Sequence, residues 1–211
     1  MSRSVARIGQ IKQGVRLEVI TICWLAVEVV LSFVAGILAR SLLLTAFGID
    51  SVIELISGTI LLWRLTVEAD GGEPSRITRA EERATWLVAV ALALLCLYVL
   101  TTAIIGLITH AKPEGSPLGI AISAAAIPVM VWLAIGKRRV AGRIASDALA
   151  GDATSSLTCA YMAATVLVGL LLNALLGWWW AEDIAALAFL VWLIGETREA
   201  FEEAREGAGE E

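Results

Sequence analysis

The chain is poor in charged residues and in the residues that form metal or disulfide sites in water. Only 18% of its 211 residues are charged and 58% are hydrophobic, whereas about a quarter of the residues in soluble domains are charged. This composition excludes an ordinary soluble domain. The single histidine, His110, lies in a short polar link, so we expect it to be a loop residue rather than a ligand. The cysteines all fall within apolar runs, which indicates no extracytoplasmic disulfide framework; they are Cys23, Cys96 and Cys159.

Long apolar runs separated by short charged links make up most of the chain, and its mean hydropathy is +0.80. A helix needs about 20 apolar residues to cross a bilayer. We therefore predict an all-α membrane protein with six transmembrane helices, at approximately 17–38, 42–63, 84–108, 118–136, 146–176 and 178–195. These spans form one transmembrane domain over 17–200, between an N-terminal segment at 1–16 and an acidic tail at 201–211.

The basic residues predict the orientation of these spans. The N-terminal segment, the link between spans 2 and 3 and the link between spans 4 and 5 each carry four Lys or Arg. Basic links lie on the cytoplasmic side, so we expect both termini to be cytoplasmic, in a protein of the bacterial inner membrane. The tryptophans at 178–180 would lie at the opposite interface, where aromatic rings prefer to be.

Two carboxylates lie inside the second apolar run. Asp50 and Glu54 are four residues apart, so on a helix they share one face. Carboxylates in hydrocarbon are costly and are expected to face a protein interior, a wet cavity or a cation. A buried polar pair that only holds helices together is the alternative, although one hydroxyl or amide would serve that purpose at lower cost. We therefore predict a paired-carboxylate cation site.

The fifth span carries a second polar face, formed by Asp152, Ser155 or Ser156, and Cys159. If this face meets the second span, three carboxylates and a thiol surround one cation, and that set suits Zn²⁺ better than Mg²⁺ or Ca²⁺. Cys159 and the serines are alternatively small residues that pack between helices. Glu28, near the centre of the first span, is either part of this site, a proton relay or a helix–helix hydrogen-bonding group.

Three segments resemble the cation diffusion facilitator family. Segment 41–54 resembles the family's second span, where two acidic residues four apart follow a serine- and leucine-rich approach. Gly151 and Asp152 with the face after them resemble the fifth span, and segment 180–187 resembles the entry to the sixth. The Phe-Gly-x-Asp-x-x-x-Glu form and the absence of a cytoplasmic C-terminal domain are most similar to the short, transmembrane protein 163-type zinc transporters. The resemblance covers 17–200.

The resemblance implies a homodimeric exporter that exchanges a divalent cation, usually Zn²⁺, for protons by alternating access. Asp50 and Glu54 match the two second-span metal ligands. The fifth span departs from the family pattern, because its usual His-x-x-x-Asp falls at Ser155 and Cys159. Asp152 is therefore the expected third ligand. The expected partners are the metal ion as substrate, protons and the lipid bilayer; we expect no enzyme activity, no separate cofactor and no nucleic acid.

Two other functions remain compatible with the sequence. One is a membrane scaffold of the same fold that transports nothing, in which the acidic residues only order the helices. The other is a proton-coupled carrier of small organic cations, which would use the same carboxylates as counter-charges. The identity of the metal is also open among Zn²⁺, Co²⁺, Mn²⁺ and Fe²⁺.

Overall fold

The computed structural model describes residues 2–69, 75–110 and 113–208. Over these ranges the chain is helical throughout and has no strand, which confirms the predicted all-α class. The helices are α1 (Ser2–Ala39), α2 (Leu42–Ala69), α3 (Ser75–Thr109), α4 (Pro117–Ile144), α5 (Asp147–Leu176) and α6 (Ala181–Ala208).

Several helices extend beyond the apolar runs that predict them. The N-terminal segment continues into α1, and α6 runs on to Ala208 through most of the acidic tail. Arg, Glu, Lys and Ala are good helix formers, so the backbone hydrogen-bond ladder continues after the hydrophobic residues end. Hydropathy therefore indicates where a helix meets the membrane, and the helix itself is longer.

Five of the described helices are long and apolar enough to cross a membrane: Gly9–Ala39, Leu42–Val67, Trp86–Thr109, Pro117–Ile144 and Ala148–Leu176. The sixth predicted span, 178–195, is helical only from Ala181, because the tryptophans at 178–180 lie in the turn before α6, and its apolar part is shorter than those of the other five. Glu182 and Asp183 lie in the first turn of α6 and Glu196 follows the apolar stretch. The sixth helix thus has acidic groups at both ends of its apolar part.

The helices pack so that α2 is enclosed. The extensive pairs are α1 with α2, α4 with α5, and α3 with α6, and α2 also contacts α3, α5 and α6. In the most apolar part of α2, 56% of the residues are buried, against 28–39% in the other four spans. The helix that carries Asp50 and Glu54 is therefore the most enclosed of the five.

The buried side of α1 is partly polar. Glu18, Thr21, Glu28 and Ser32 are all 0–1% exposed and recur at the three- or four-residue spacing of one helix face. An apolar stripe on this face would be enough for packing alone. Two of these residues meet polar groups of other helices, since Glu18 contacts Lys137 of α4 and Glu28 contacts Ser51 of α2 and Cys159 of α5.

The hairpin between α1 and α2 closes at Gly36. A methyl group at this position would lie 2.7 Å from Thr45 Oγ1 and 3.0 Å from the Thr45 backbone nitrogen. We expect Gly36→Ala to destabilise the protein by about 1–3 kcal/mol through this overlap. Gly142→Ala is the control, since nothing lies within 4 Å of a methyl group there and alanine favours a helix. Thermal unfolding in detergent micelles tests this, and equal midpoints for the two variants would contradict it.

Candidate metal site

A cavity of about 50 Å³ lies where α2, α3, α5 and α6 meet. A single water needs about 10–15 Å³, so the cavity has room for a cation with some of its water. Four residues predicted as ligands line this cavity, namely Asp50, Glu54, Ser155 and Cys159. Its other polar lining residues are Ser57, Thr158 and Glu196.

The second-span pair lies at the buried side of α2. Asp50 is 7% exposed and Glu54 is 6% exposed. Both carboxylate oxygens of Glu54 are buried, and no hydrogen bond with ordinary geometry reaches them from the residues that the structure describes; the Cys159 thiol, a weak donor, lies near enough to interact. A buried polar group without a partner is costly. The Glu54 carboxylate is therefore suited to receive a cation or a proton from the cavity.

The polar residues of the fifth span divide between two sites. Ser155, Thr158 and Cys159 face the cavity, whereas Asp152 accepts a hydrogen bond from the ammonium group of Lys137. The same ammonium group donates to Ser156 Oγ at 3.2 Å. Asp152 is not among the residues that line the cavity. Its predicted role as the third ligand stays a prediction, and it would require Lys137 to release the carboxylate.

Lys137 joins two buried carboxylates from different helices. Its side chain is 0% exposed, and its Nζ lies 3.1 Å from Glu18 Oε2 and also contacts Asp152. Gly58 of α2 makes room for Glu18, because a methyl group at that position would lie 2.8 Å from Glu18 Oε1. This charged trio, Glu18, Lys137 and Asp152, therefore brings α1, α4 and α5 together beside α2.

Sequence reasoning gave no role to Glu18 or Lys137. Lys137 stands in a run of basic residues with Arg138 and Arg139, and nothing in the composition separates the three. The available signal is periodicity, since Met130, Leu133, Lys137, Val140 and Ile144 are buried at helical spacing along α4.

Glu28 is hydrogen-bonded on three sides. It accepts from Trp24 Nε1 at 2.7 Å, from Ser51 Oγ at 2.7 Å and from Cys159 Sγ at 3.5 Å. These bonds join α1 to α2 and α5, as the helix–helix alternative describes. Glu28 does not line the cavity, but Cys159 lies between the two. Its role as a proton relay stays a prediction.

Glu196 is a lining residue that sequence reasoning missed. It is the first residue after the sixth predicted span, and its Oε1 accepts a hydrogen bond from Thr158 Oγ1 at 2.7 Å. The signal for its position was its spacing of three and seven residues from Leu193 and Phe189, which are both 0% exposed. The cavity is therefore lined by three carboxylates, two from α2 and one from α6.

A comparison with protein-family models shows the family to which this chain belongs. The model of the cation efflux transmembrane domain matches residues 19–206, which include nearly the whole bundle. The chain belongs to the cation diffusion facilitator family. Members of this family transport cations across membranes, and the predicted family resemblance is confirmed. No curated protein matches the chain.

The acidic side chains of this facilitator line the cavity but do not lie close enough together to coordinate one metal ion. Among the described residues, no three His, Cys, Asp or Glu side chains already form a group that could hold a metal ion. A bound cation would have to draw Asp50, Glu54 and Glu196 inward. Carboxylate side chains are flexible enough for such an adjustment.

The facilitator is tied together at the end of the bundle opposite Lys137. Glu182 accepts hydrogen bonds from Ser41 Oγ at 2.5 Å and from Asn173 Nδ2 at 3.2 Å. Asn173 also donates to the backbone oxygen of Pro113 at 3.1 Å. These bonds join the start of α2, the end of α5 and the start of α6. Polar contacts thus join helices at both ends, with the cavity between them.

Proposed function

We propose that this facilitator exports a divalent transition-metal cation, with Zn²⁺ as its main substrate, through the cavity lined by Asp50, Glu54 and Glu196. The observation that carries the proposal is the Glu54 carboxylate, which is buried at the cavity and accepts no hydrogen bond with ordinary geometry from the described residues. A cation would satisfy these oxygens and reduce the repulsion among the three carboxylates. A thiol beside carboxylates favours a borderline-soft ion such as Zn²⁺.

We propose that metal movement is coupled to protons. Carboxylates must be ionised to bind a metal, so a metal that enters the cavity displaces any protons they hold. When the cavity opens to the other side, protons return to Asp50 and Glu54 and release the ion. Protonation also removes the cost of buried charge, which allows the empty bundle to return.

The orientation, location and assembly belong to the same proposal. The basic residues near Lys137 favour a cytoplasmic position for the charged trio and for both termini. The Glu182 network would then lie on the extracytoplasmic side, where it keeps the bundle together in this conformation. We further propose that the protein acts in the bacterial inner membrane as a homodimer, as the family resemblance implies.

The cavity argues against the two alternative functions. A volume of about 50 Å³ accommodates a metal ion more readily than an organic cation. In a scaffold, the acidic residues would form hydrogen bonds between helices, as Glu28 does with Ser51 and Cys159. Glu54 makes no such bond with ordinary geometry among the described residues, and the Cys159 thiol near it is only a weak donor.

Transport by purified protein in liposomes tests the proposal. We expect saturable Zn²⁺ uptake, followed by a zinc-sensitive dye inside the liposomes, and a proton flux in the opposite direction that a pH-sensitive dye reports. Protein-free liposomes are the control for leak. Uptake equal to that control, together with no saturable Zn²⁺ binding, would overturn the proposal in favour of the scaffold. Competition between Zn²⁺ and a small quaternary ammonium ion would indicate the organic-cation carrier instead.

A further inference from the structure

Glu196 reaches the cavity from a helix to which the predicted site assigns no ligand. Its carboxylate lines the cavity, and Thr158 Oγ1 of α5 donates to its Oε1 at 2.7 Å. Thr158 is itself 4% exposed, so this hydrogen bond is inside the bundle. A charge-assisted hydrogen bond from a neutral hydroxyl orients a carboxylate without neutralising it. Glu196 is therefore held at the cavity with its negative charge available.

The charges around the cavity are all of one sign. Asp50 of α2 and Glu196 of α6 line the same small cavity, so their carboxylates lie close together. No basic side chain is among the lining residues in the described part of the chain. The nearby Lys137 is already bonded to Glu18 and Asp152. Like charges in a low dielectric repel strongly, so the three carboxylates of the cavity require a mobile cation or protons.

The fifth helix cannot supply the missing carboxylate in this arrangement. It presents only hydroxyl and thiol groups to the cavity, from Ser155, Thr158 and Cys159. The Asp152 carboxylate of this helix is bonded to Lys137. We infer that Glu196 is the third carboxylate ligand of the transported cation, so that α6 completes the site that α2 begins. This inference rests on the proposed function.

A site formed by the carboxylates of Asp50, Glu54 and Glu196 has harder ligands than a site that contains histidine. Three carboxylates provide oxygen ligands, which suit Mn²⁺, and only the Cys159 thiol beside them favours a softer ion. A histidine would add an imidazole, which favours Zn²⁺ further. We therefore expect the protein to discriminate between Zn²⁺ and Mn²⁺ less than its Glu196→His variant does. This ratio of affinities belongs to the folded molecules that bind metal, so partial unfolding of a variant does not produce the shift.

Metal binding to the purified full chain in detergent, measured by calorimetry with Zn²⁺ and with Mn²⁺, tests the inference. We expect Glu196→Gln to weaken Zn²⁺ binding by at least about tenfold, the loss caused even by an indirect partner of a metal ligand. Glu196→Asp keeps the charge and should recover part of the affinity. Glu199→Gln is the matched control, because it removes the same charge from an exposed position of α6 and should leave the affinity unchanged. Glu196→His should raise the Zn²⁺ preference over Mn²⁺.

The outcomes separate this inference from the proposed function. Wild-type affinity in Glu196→Gln, or an unchanged ratio of Zn²⁺ to Mn²⁺ affinity in Glu196→His, overturns the role of Glu196. The proposed function survives either result if Asp50→Asn abolishes metal binding. Equal losses in Glu196→Gln and Glu199→Gln would also overturn it, because they indicate an effect of net charge alone. If the wild-type protein binds neither metal, the proposed function itself fails.

Discussion

Lys137→Met is expected to destabilise the folded bundle by about 3–5 kcal/mol, the usual cost of removing one partner from a buried ion pair. The Lys137 side chain is 0% exposed and is the cation shared by Glu18 and Asp152. Without it, two carboxylates remain inside the bundle with no counter-charge. Methionine keeps the length and most of the volume of lysine, so the expected loss comes from charge rather than from a cavity. Thermal or denaturant-induced unfolding in detergent micelles measures it.

Two further variants make this prediction specific. Arg138→Met removes a positive charge from the next position, where the side chain is exposed, and should change stability by less than about 0.5 kcal/mol. Combining Lys137→Met with Glu18→Gln and Asp152→Asn should recover most of the loss, because neutral groups replace the whole charged trio. If the Lys137 and Arg138 variants unfold alike, or the triple variant is no more stable than the single one, the trio does not stabilise the fold as described.

The second-span site was predictable because the sequence itself shows two carboxylates in an apolar run, where burying charge costs free energy. Asp50 and Glu54 interrupt a run of apolar residues, and exposing their carboxylates to lipid would cost too much free energy. Their four-residue spacing then fixes a common helix face. The structure adds what spacing cannot provide, namely that no hydrogen bond with ordinary geometry reaches the Glu54 carboxylate from the described residues. That property depends on which side chains the neighbouring helices bring to the same depth.

The pairing of Asp152 was partly predictable from the short turn between α4 and α5. Lys137 is eight residues before Ala145 and Asp152 is seven residues after it. In an antiparallel helix pair, positions at equal distances from a tight turn lie side by side. This symmetry suggests an ion pair in place of a free ligand. The choice of Lys137 over its basic neighbours depends on the rotation of α4 against α1, which the local sequence does not determine.

Glu196 could not be placed from hydropathy, because it lies where the apolar run ends and a charged tail begins. A glutamate at that boundary is expected to face water. Its inward position follows from the buried face of α6, which continues from Leu193 to Ala204, with exposed fractions of 0% and 2%. That face continues because α6 packs along α3, a contact between helices far apart in the chain.

Glu54→Gln is expected to reduce the initial rate of Zn²⁺ transport by about a hundredfold, which corresponds to ~2.7 kcal/mol. Glutamine has nearly the same size and shape, so the cavity is kept and only the charge is lost. Without that charge the cation loses a ligand, and the site has one fewer group that can exchange a proton for metal. Liposome uptake at a fixed pH gradient measures the change. Glu54→Asp, which keeps the charge, should retain a larger part of the rate.

The same Glu54→Gln substitution is expected to leave the protein at least as stable as the wild type. A buried carboxylate without a partner costs more than a buried neutral amide, so its removal relieves a cost in the metal-free bundle. Glu28→Gln is the matched comparison, since Glu28 accepts three hydrogen bonds and its neutralisation should lower stability. A structural role for Glu54 requires stability and transport to fall together. Unfolding midpoints measured without metal that fall as far for Glu54→Gln as for Glu28→Gln would therefore assign both residues to helix packing.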